Sequence, residues 1–242
     1  MTERKEQILE YVIMEYIRTA QPVSSFQLLK QYNLPYSSAT IRNELYELEQ
    51  DGYLGQLHTS SGRVPTDRGY RHYVNRLLAR QELLRQYATV AHKLMDDLNR
   101  MNEIHIQLKQ LLTSIAQESQ NLTMGKLSSD MVFEEGMSHF LSQPYFSSME
   151  FVREALDDLE DVRHHIDEIG RGIARGGYEL YIGEENPIKP MQKYSVIVGR
   201  CDFDGDDGTI VMIGPKSMQY AKNIALIEYV LNPDNETYDE EE

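Results

Sequence analysis

The chain is 242 residues long, 40 % apolar and 26 % charged, which suits a globular protein with a real core. No apolar run approaches the ~20 residues that span a bilayer, and the single cysteine, Cys201, excludes an internal disulfide framework. The formal net charge of −15 stands against nucleic-acid binding by the chain as a whole, because neutralising phosphates takes Lys and Arg.

The charge is not evenly spread. Residues 1–80 hold ten Lys and Arg against nine Asp and Glu, net +1, and residues 81–242 hold 14 against 30, net −16. Between Tyr53 and Arg85 stand Arg63, Arg68, Arg71, Arg76, Arg80 and Arg85, opposed only by Asp67 and Glu82. Such asymmetry places any DNA contact at the N-terminal end. Met1 is followed by Glu3-Arg4-Lys5-Glu6 in place of an apolar leader, so a cytoplasmic protein with no membrane association is expected.

Ile8, Leu9, Val12, Ile13 and Tyr16 share one side of a 3.6-period helix over Glu3 to Thr19, which Pro22 stops. Ser24 to Gln27 fits a capping box and opens a second helix through Tyr32. After the turn Asn33-Leu34-Pro35, Ser37 or Ser38 caps a third helix that runs to Asp51, with Gly52 where a left-handed residue is wanted. Tyr53 to Leu57 is predicted as a short strand, His58 to Pro65 as a hairpin wing tipped by Gly62 and Arg63, and Thr66 as the cap of the next helix. This order is that of a winged helix-turn-helix.

On the third helix, Ile41, Leu45 and Leu48 fall in one arc and face the core. The opposite arc carries Ala39, Asn43 and Tyr46, flanked by Thr40, Arg42 and Glu47. Asn pairs adenine and Arg pairs guanine in bidentate fashion in the major groove, so this face suits base reading. The expected DNA-binding set is Ser37, Ser38, Ala39, Thr40, Arg42, Asn43 and Tyr46 from the helix, His58, Thr59, Ser60, Ser61 and Arg63 from the wing, and Arg68 and Arg71 beyond it.

A second regularity follows. Leu84, Tyr87, Ala91, Leu94, Leu98, Met101, His105, Leu108, Leu112 and Ile115 keep heptad spacing, with His105 the one polar seam position, which predicts a long coiled-coil-like helix that dimerises the chain; a core helix packed against its own domain would also give such a period. Downstream, Met131 to Leu141 and Ser148 to Gly170 are helical by period, and Gly176-Gly177 breaks the chain. Tyr178 to Ile182, Tyr194 to Cys201 and Thr209 to Ile213 are predicted strands, with Asp202 to Gly208 as the turn between the last two. Lys216 to Leu231 closes with a helix, and the acidic stretch after Asp234 is expected to be disordered.

Two N-terminal segments resemble the heat-inducible transcription repressor HrcA family. Ser37-Ser38-Ala39-Thr40-Ile41-Arg42-Asn43-Glu44 is similar to its recognition helix, and His58 to Arg71 to its wing and following helix. Phe140 to Phe146, Ile182 to Pro187 and Ile213 to Tyr220 resemble its C-terminal half. The resemblance implies a repressor of heat-shock, chiefly chaperone, operons that binds an inverted-repeat operator as a homodimer, is kept active by the chaperonin and is released on heat stress. It also implies a GAF-like domain, here abbreviated, because the passage from Asn121 to Glu134 leaves no room for the family's early strands or its inserted dimerisation domain.

The expected architecture is α+β: a winged helix-turn-helix over 1–75, a linker and dimerisation helix over 76–120, an abbreviated GAF-like domain over 121–232 and an acidic tail over 233–242. No catalytic site, metal or cofactor is expected. Gly170, Gly172 and Gly176 miss the dinucleotide spacing, Asp202 to Asp207 lack the EF-hand's distal glutamate, and His164, His165 and Glu168 have no further ligand at metal spacing. A competing reading is a stress- or ligand-sensing signalling module whose winged domain binds protein.

Overall fold

The structure is a computed structural model that describes residues 1–56, 62–79, 87, 90, 104–127, 131–144, 146, 148–203 and 205–232. The chain divides into two compact units, Met1–Ala79 and Arg80–Glu242. The expected acidic tail lies outside the described residues.

In the first unit, helices α1 (Glu3–Thr19), α2 (Ser25–Tyr32) and α3 (Ser38–Gln50) precede two short strands, β1 (Leu54–Gly55) and β2 (Val64–Pro65), and helix α4 (Asp67–Ala79). The caps follow from the sequence. Ser24 accepts from Gln27 N while the Gln27 side chain accepts from Ser24 N at 2.7 Å, completing the capping box of α2. Gly52 takes φ +76°, the left-handed turn that ends α3. Helix α1 ends before Pro22, on Ala20 in the left-handed region with its N–H bonded to Tyr16 O. Ile8, Leu9, Val12, Ile13, Leu28, Ile41, Leu45, Leu48, Val74 and Leu77 form the core.

The second unit is built on an antiparallel five-stranded sheet of β3 (Leu122–Lys126), β4 (Val132–Glu135), β5 (Tyr178–Ile182), β6 (Tyr194–Phe203) and β7 (Asp206–Pro215), in the order β4-β3-β7-β6-β5. Helices α6 (Met137–Leu141) and α7 (Met149–Ile169) cover one face, where Phe140, Ala155, Leu159, Val162 and Ile166 pack on Leu122, Met124, Val196, Val198, Val211 and Ile213. Helices α5 (Ile104–Ser119) and α8 (Tyr220–Leu231) lie against the other, formed by the alternate residues of the same strands. There Gly125 leaves the room that Leu108 and Leu112 fill, and Gly199 the room that Leu231 fills; a Cβ on either glycine would come within 2.9 Å of those side chains. Cys201, on β6, is buried, and burial pushes its thiol up to about 12.

Several expectations are corrected. Residues 122–126 and 132–135 are strands, so the chain does carry strands directly after α5, and the helix expected over 131–141 is confined to Met137–Leu141. The period misled because β4 is an edge strand that is half-buried at every position, so it shows no in-out alternation to read. β6 and β7 pair as far as Phe203↔Asp206, which shortens the seven-residue turn to two residues, with Gly205 at φ +92° supplying the positive φ such a turn demands. Helix α8 begins at Tyr220, after a turn in which Met218 N bonds Pro215 O.

The heptad seam is split. Leu84, Ala91, Leu94, Leu98 and Met101 lie outside the described residues, and Tyr87 is half-buried. Leu108, Leu112 and Ile115 are fully buried on α5, against the sheet of their own unit, so this third of the seam is covered within the chain and has no surface for a second copy. His105 is exposed, with its ring 6.0 Å from that of Phe133.

Candidate nucleic-acid interface

Helix α3 is fixed by its cap and by its core face. Ser37 Oγ accepts from Thr40 N at 3.1 Å and shares a 2.8 Å hydrogen bond with Thr40 Oγ1, so both hydroxyls are engaged in starting the helix. Ile41 and Leu48 are fully buried, Leu45 nearly so. On the far side Ala39, Arg42, Asn43 and Tyr46 are all exposed, Tyr46 at 57 %. Ser38 is half-buried. No hydrogen bond or ion pair joins Arg42, Asn43 or Tyr46 to the described residues, which leaves an amide and a guanidinium available on one rigid surface.

A small antiparallel hairpin stands after this helix. Leu54 pairs Pro65 and Gly55 pairs Val64, and a bridge between Val23 and Arg63 adds the segment before α2 to its edge. The β1 strand is shorter than expected because Tyr53 is drawn back to α3, its N–H bonded to Leu48 O at 2.9 Å. Gly62 passes so close to Val23 that a Cβ would sit 2.6 Å from its backbone. Only glycine fits that crossing.

The arginines of this region divide by partner. Arg63 Nη2 meets Glu49 Oε2 at 2.8 Å with its side chain only 19 % exposed, so Arg63 ties the hairpin to α3. Arg68 donates to Asp51 O at 2.7 Å, capping the C-terminal end of α3, and its guanidinium lies 4.5 Å above the Tyr53 ring. Arg71 is half-buried and has an interaction of its own. Arg76 is ion-paired to Glu6. Among the described arginines of the expected set, Arg42 alone is exposed without a partner. His58, Thr59, Ser60 and Ser61 lie outside the described residues.

Sequence reasoning missed a cluster on α3. Glu44 is 5 % exposed and its carboxylate accepts from Arg4, with Nε at 2.6 Å; Arg4 also lies 5.8 Å from the centre of the Tyr36 ring. Lys5 Nζ sits 2.7 Å from Glu47 and 3.3 Å from Asp51, and the hydrogen bond to Glu47 is the chief cause that raises the ammonium above its usual range. The signal was present as acids at positions 44, 47 and 51, one side of a helix, but nothing local names their partners. On α4, burial lowers His72 below the ordinary histidine value, and its Nε2 is buried without a partner. Among the described residues no group of His, Cys, Asp and Glu could hold a metal ion, and no helix is long and apolar enough to cross a membrane.

Comparison with known proteins decides the family. Residues 57–224, more than half of the chain, match the HrcA protein C terminal domain. The chain belongs to the HrcA family. Its similarity to the heat-inducible transcription repressor HrcA of Clostridium acetobutylicum is 26 % identity and covers 99 % of this chain and 98 % of that one. That alignment runs over 339 positions against the 242 residues here, so a large part of the longer relative stands opposite gaps. The HrcA repressor of Acetivibrio thermocellus is 41 % identical over 127 residues, 52 % of this chain and 36 % of that one. A crystal structure described only as a hypothetical protein superposes with a TM-score of 0.73 at 19 % identity, covering 98 % of both chains, and so shares the fold.

Proposed function

We propose that this HrcA-family chain is a cytoplasmic, sequence-specific transcriptional repressor of heat-shock, chiefly chaperone, operons, and that its first unit is a winged helix-turn-helix. The observation that carries the reading is the outward face of α3, where Arg42, Asn43 and Tyr46 are exposed, with no partner among the described residues, on a helix whose other side is locked into a core. A helix held so rigidly, with its N-terminal half open, has what a major-groove reader needs. The names of the relatives, heat-inducible transcription repressors, support repression and a response to heat; the chaperone operons come from the family resemblance.

The repressor binds an inverted repeat as a homodimer, since two reading helices must reach half-sites about 34 Å apart or a multiple of that. With Leu108, Leu112 and Ile115 covered within the chain, the pairing seam is the stretch from Leu84 to Met101, and the Leu94→Asp, Leu98→Asp double substitution is expected to sediment as a folded monomer. The second unit, a five-stranded antiparallel sheet with helices on both faces, serves as an abbreviated GAF-like domain through which the chaperonin keeps the repressor active and heat releases it.

The deciding experiment is a mobility shift with an inverted-repeat duplex and a scrambled duplex at two salt concentrations. Preference for the repeat, with affinity falling steeply as salt rises, is the expected result. No shift with either duplex returns the first unit to a protein-binding role, which its near-zero net charge and the Phe26 ring, 72 % exposed on α2, would then serve.

A further inference from the structure

Helix α3 is an odd choice for a DNA reader by charge. Its residues Ser38–Gln50 hold Glu44, Glu47 and Glu49 against Arg42 alone, and Asp51 follows at once. Phosphate is repelled by each unneutralised carboxylate within about a Debye length, roughly 8 Å at physiological salt. At 100° per residue Glu47 stands about 40° from Asn43 around the helix axis, beside the face proposed to meet the groove. Its side chain is 59 % exposed.

All four acids have cations within the unit. Arg63 takes Glu49, Arg4 takes Glu44, and Lys5 takes both Glu47 and Asp51. Arg4 and Lys5 are neighbours in the first turn of α1, so a single dipeptide spans the acidic side of α3 from Glu44 to Asp51. The two contacts differ in kind. Arg4 holds a carboxylate that is almost wholly buried, and its guanidinium also lies near Tyr36, the residue before the Ser37 cap. Lys5 holds carboxylates that are half-exposed and near the groove face.

Resting on the DNA-reading role of α3, we propose that Arg4 and Lys5 are positioning residues for operator recognition: Arg4 sets the roll of α3 about its axis through Glu44, and Lys5 cancels the Glu47 charge beside Asn43. Neither touches DNA. The cations that make this helix readable by DNA are supplied from another helix, which is why the net charge of α3 itself misleads.

The test measures binding of the full chain to two duplexes, one enriched from a randomised pool by the unsubstituted chain and a scrambled version of it. Lys5→Gln is expected to weaken both about tenfold at low salt, because Glu47 is then bare near phosphate. The double substitution Lys5→Gln, Glu47→Gln restores the local charge and is expected to restore binding, which a merely structural role for Lys5 would not do. Arg4→Met is expected to lose the preference for the enriched duplex while Arg4→Lys keeps most of it. Lys5→Gln binding as the unsubstituted chain does, or a double variant no better than Lys5→Gln, overturns the role of Lys5. Arg4→Met with an unchanged ratio between the duplexes overturns that of Arg4. Failure of the unsubstituted chain to enrich or bind any duplex overturns the repressor reading itself, and with it this proposal.

Discussion

The two units use charge in opposite ways. In Met1–Ala79, with nearly balanced charge, acids on α3 are paired off against cations from α1 and the hairpin, and Arg42 and Asn43 have no partner among the described residues. In the second unit the excess is acidic and much of it lies along the outer side of α7, where Glu150, Asp157, Glu160, Asp161 and Glu168 are exposed above a buried line of Ala155, Leu159, Val162 and Ile166. One unit neutralises its acids pairwise. The other keeps an acidic excess on its surface, which on the proposed function would disfavour DNA there.

The sharpest way to break this contrast is to attack the apolar basis of the second unit. Leu112 is fully buried where Gly125 makes room for it, so Leu112→Ala is expected to cost about 2 to 5 kcal/mol in denaturant unfolding. An effect below 1 kcal/mol would mean that α5 is not held on the sheet. Smaller and of another kind are the expected effects on the first unit: Arg42→Ala and Asn43→Ala each lower operator affinity by about 1 to 3 kcal/mol with the melting temperature unchanged, since neither side chain has a partner among the described residues. Arg63→Ala is expected to do the reverse, loosening the hairpin base at Glu49 while scarcely changing which bases are preferred. Titration calorimetry beside thermal melts separates the two patterns, and a shared pattern would erase the distinction drawn between Arg42 and Arg63.

Much of the first unit was legible because its signals are local. The Ser24–Gln27 capping box, the Ser37 cap, the left-handed Gly52 and the Ile41, Leu45, Leu48 stripe each need only a few consecutive residues to be read. What escaped was every decision made between distant residues. The wing-like neighbours of Arg63 say nothing of its pairing with Glu49, nor does the sequence around Arg68 name Asp51 and Tyr53 as its partners. In the second unit β3 was missed for a related reason. Its pairing with β7 comes from residues more than eighty positions away, and Gly125 is in the strand through its pairing with Phe133 and Ile210, which nothing near it in sequence announces. The heptad seam shows the same limit, since Leu108 and Leu112 satisfy a coiled-coil pattern and a sheet-packing pattern equally well.

Next in size is the helix cap. Ser37→Ala removes the acceptor for Thr40 N and is expected to cost about 1 kcal/mol in the unfolding of the first unit. If stability does not change, the Thr40 hydroxyl has taken over the cap. The smallest effect concerns pH. Burial holds His72 below its ordinary value in the fold, so the unfolded chain takes up a proton first as pH falls. Stability from this source is therefore complete above about pH 6.5 and declines below it, until the folded form is protonated as well. His72→Phe should flatten that decline between pH 7 and 5, measured by urea midpoints; an unaltered slope would assign the dependence to the carboxylates.

Cys201 has a bearing on which kinds of stress this molecule is able to register directly. It is the sole sulfhydryl in the sequence, it is buried on β6, and burial pushes it up to about 12. At neutral pH only about one molecule in 100,000 would then carry the thiolate that peroxide or a disulfide attacks. Oxidants and reductants thus have little purchase on this fold through thiol chemistry, and any response it makes to stress has to be carried by something other than Cys201.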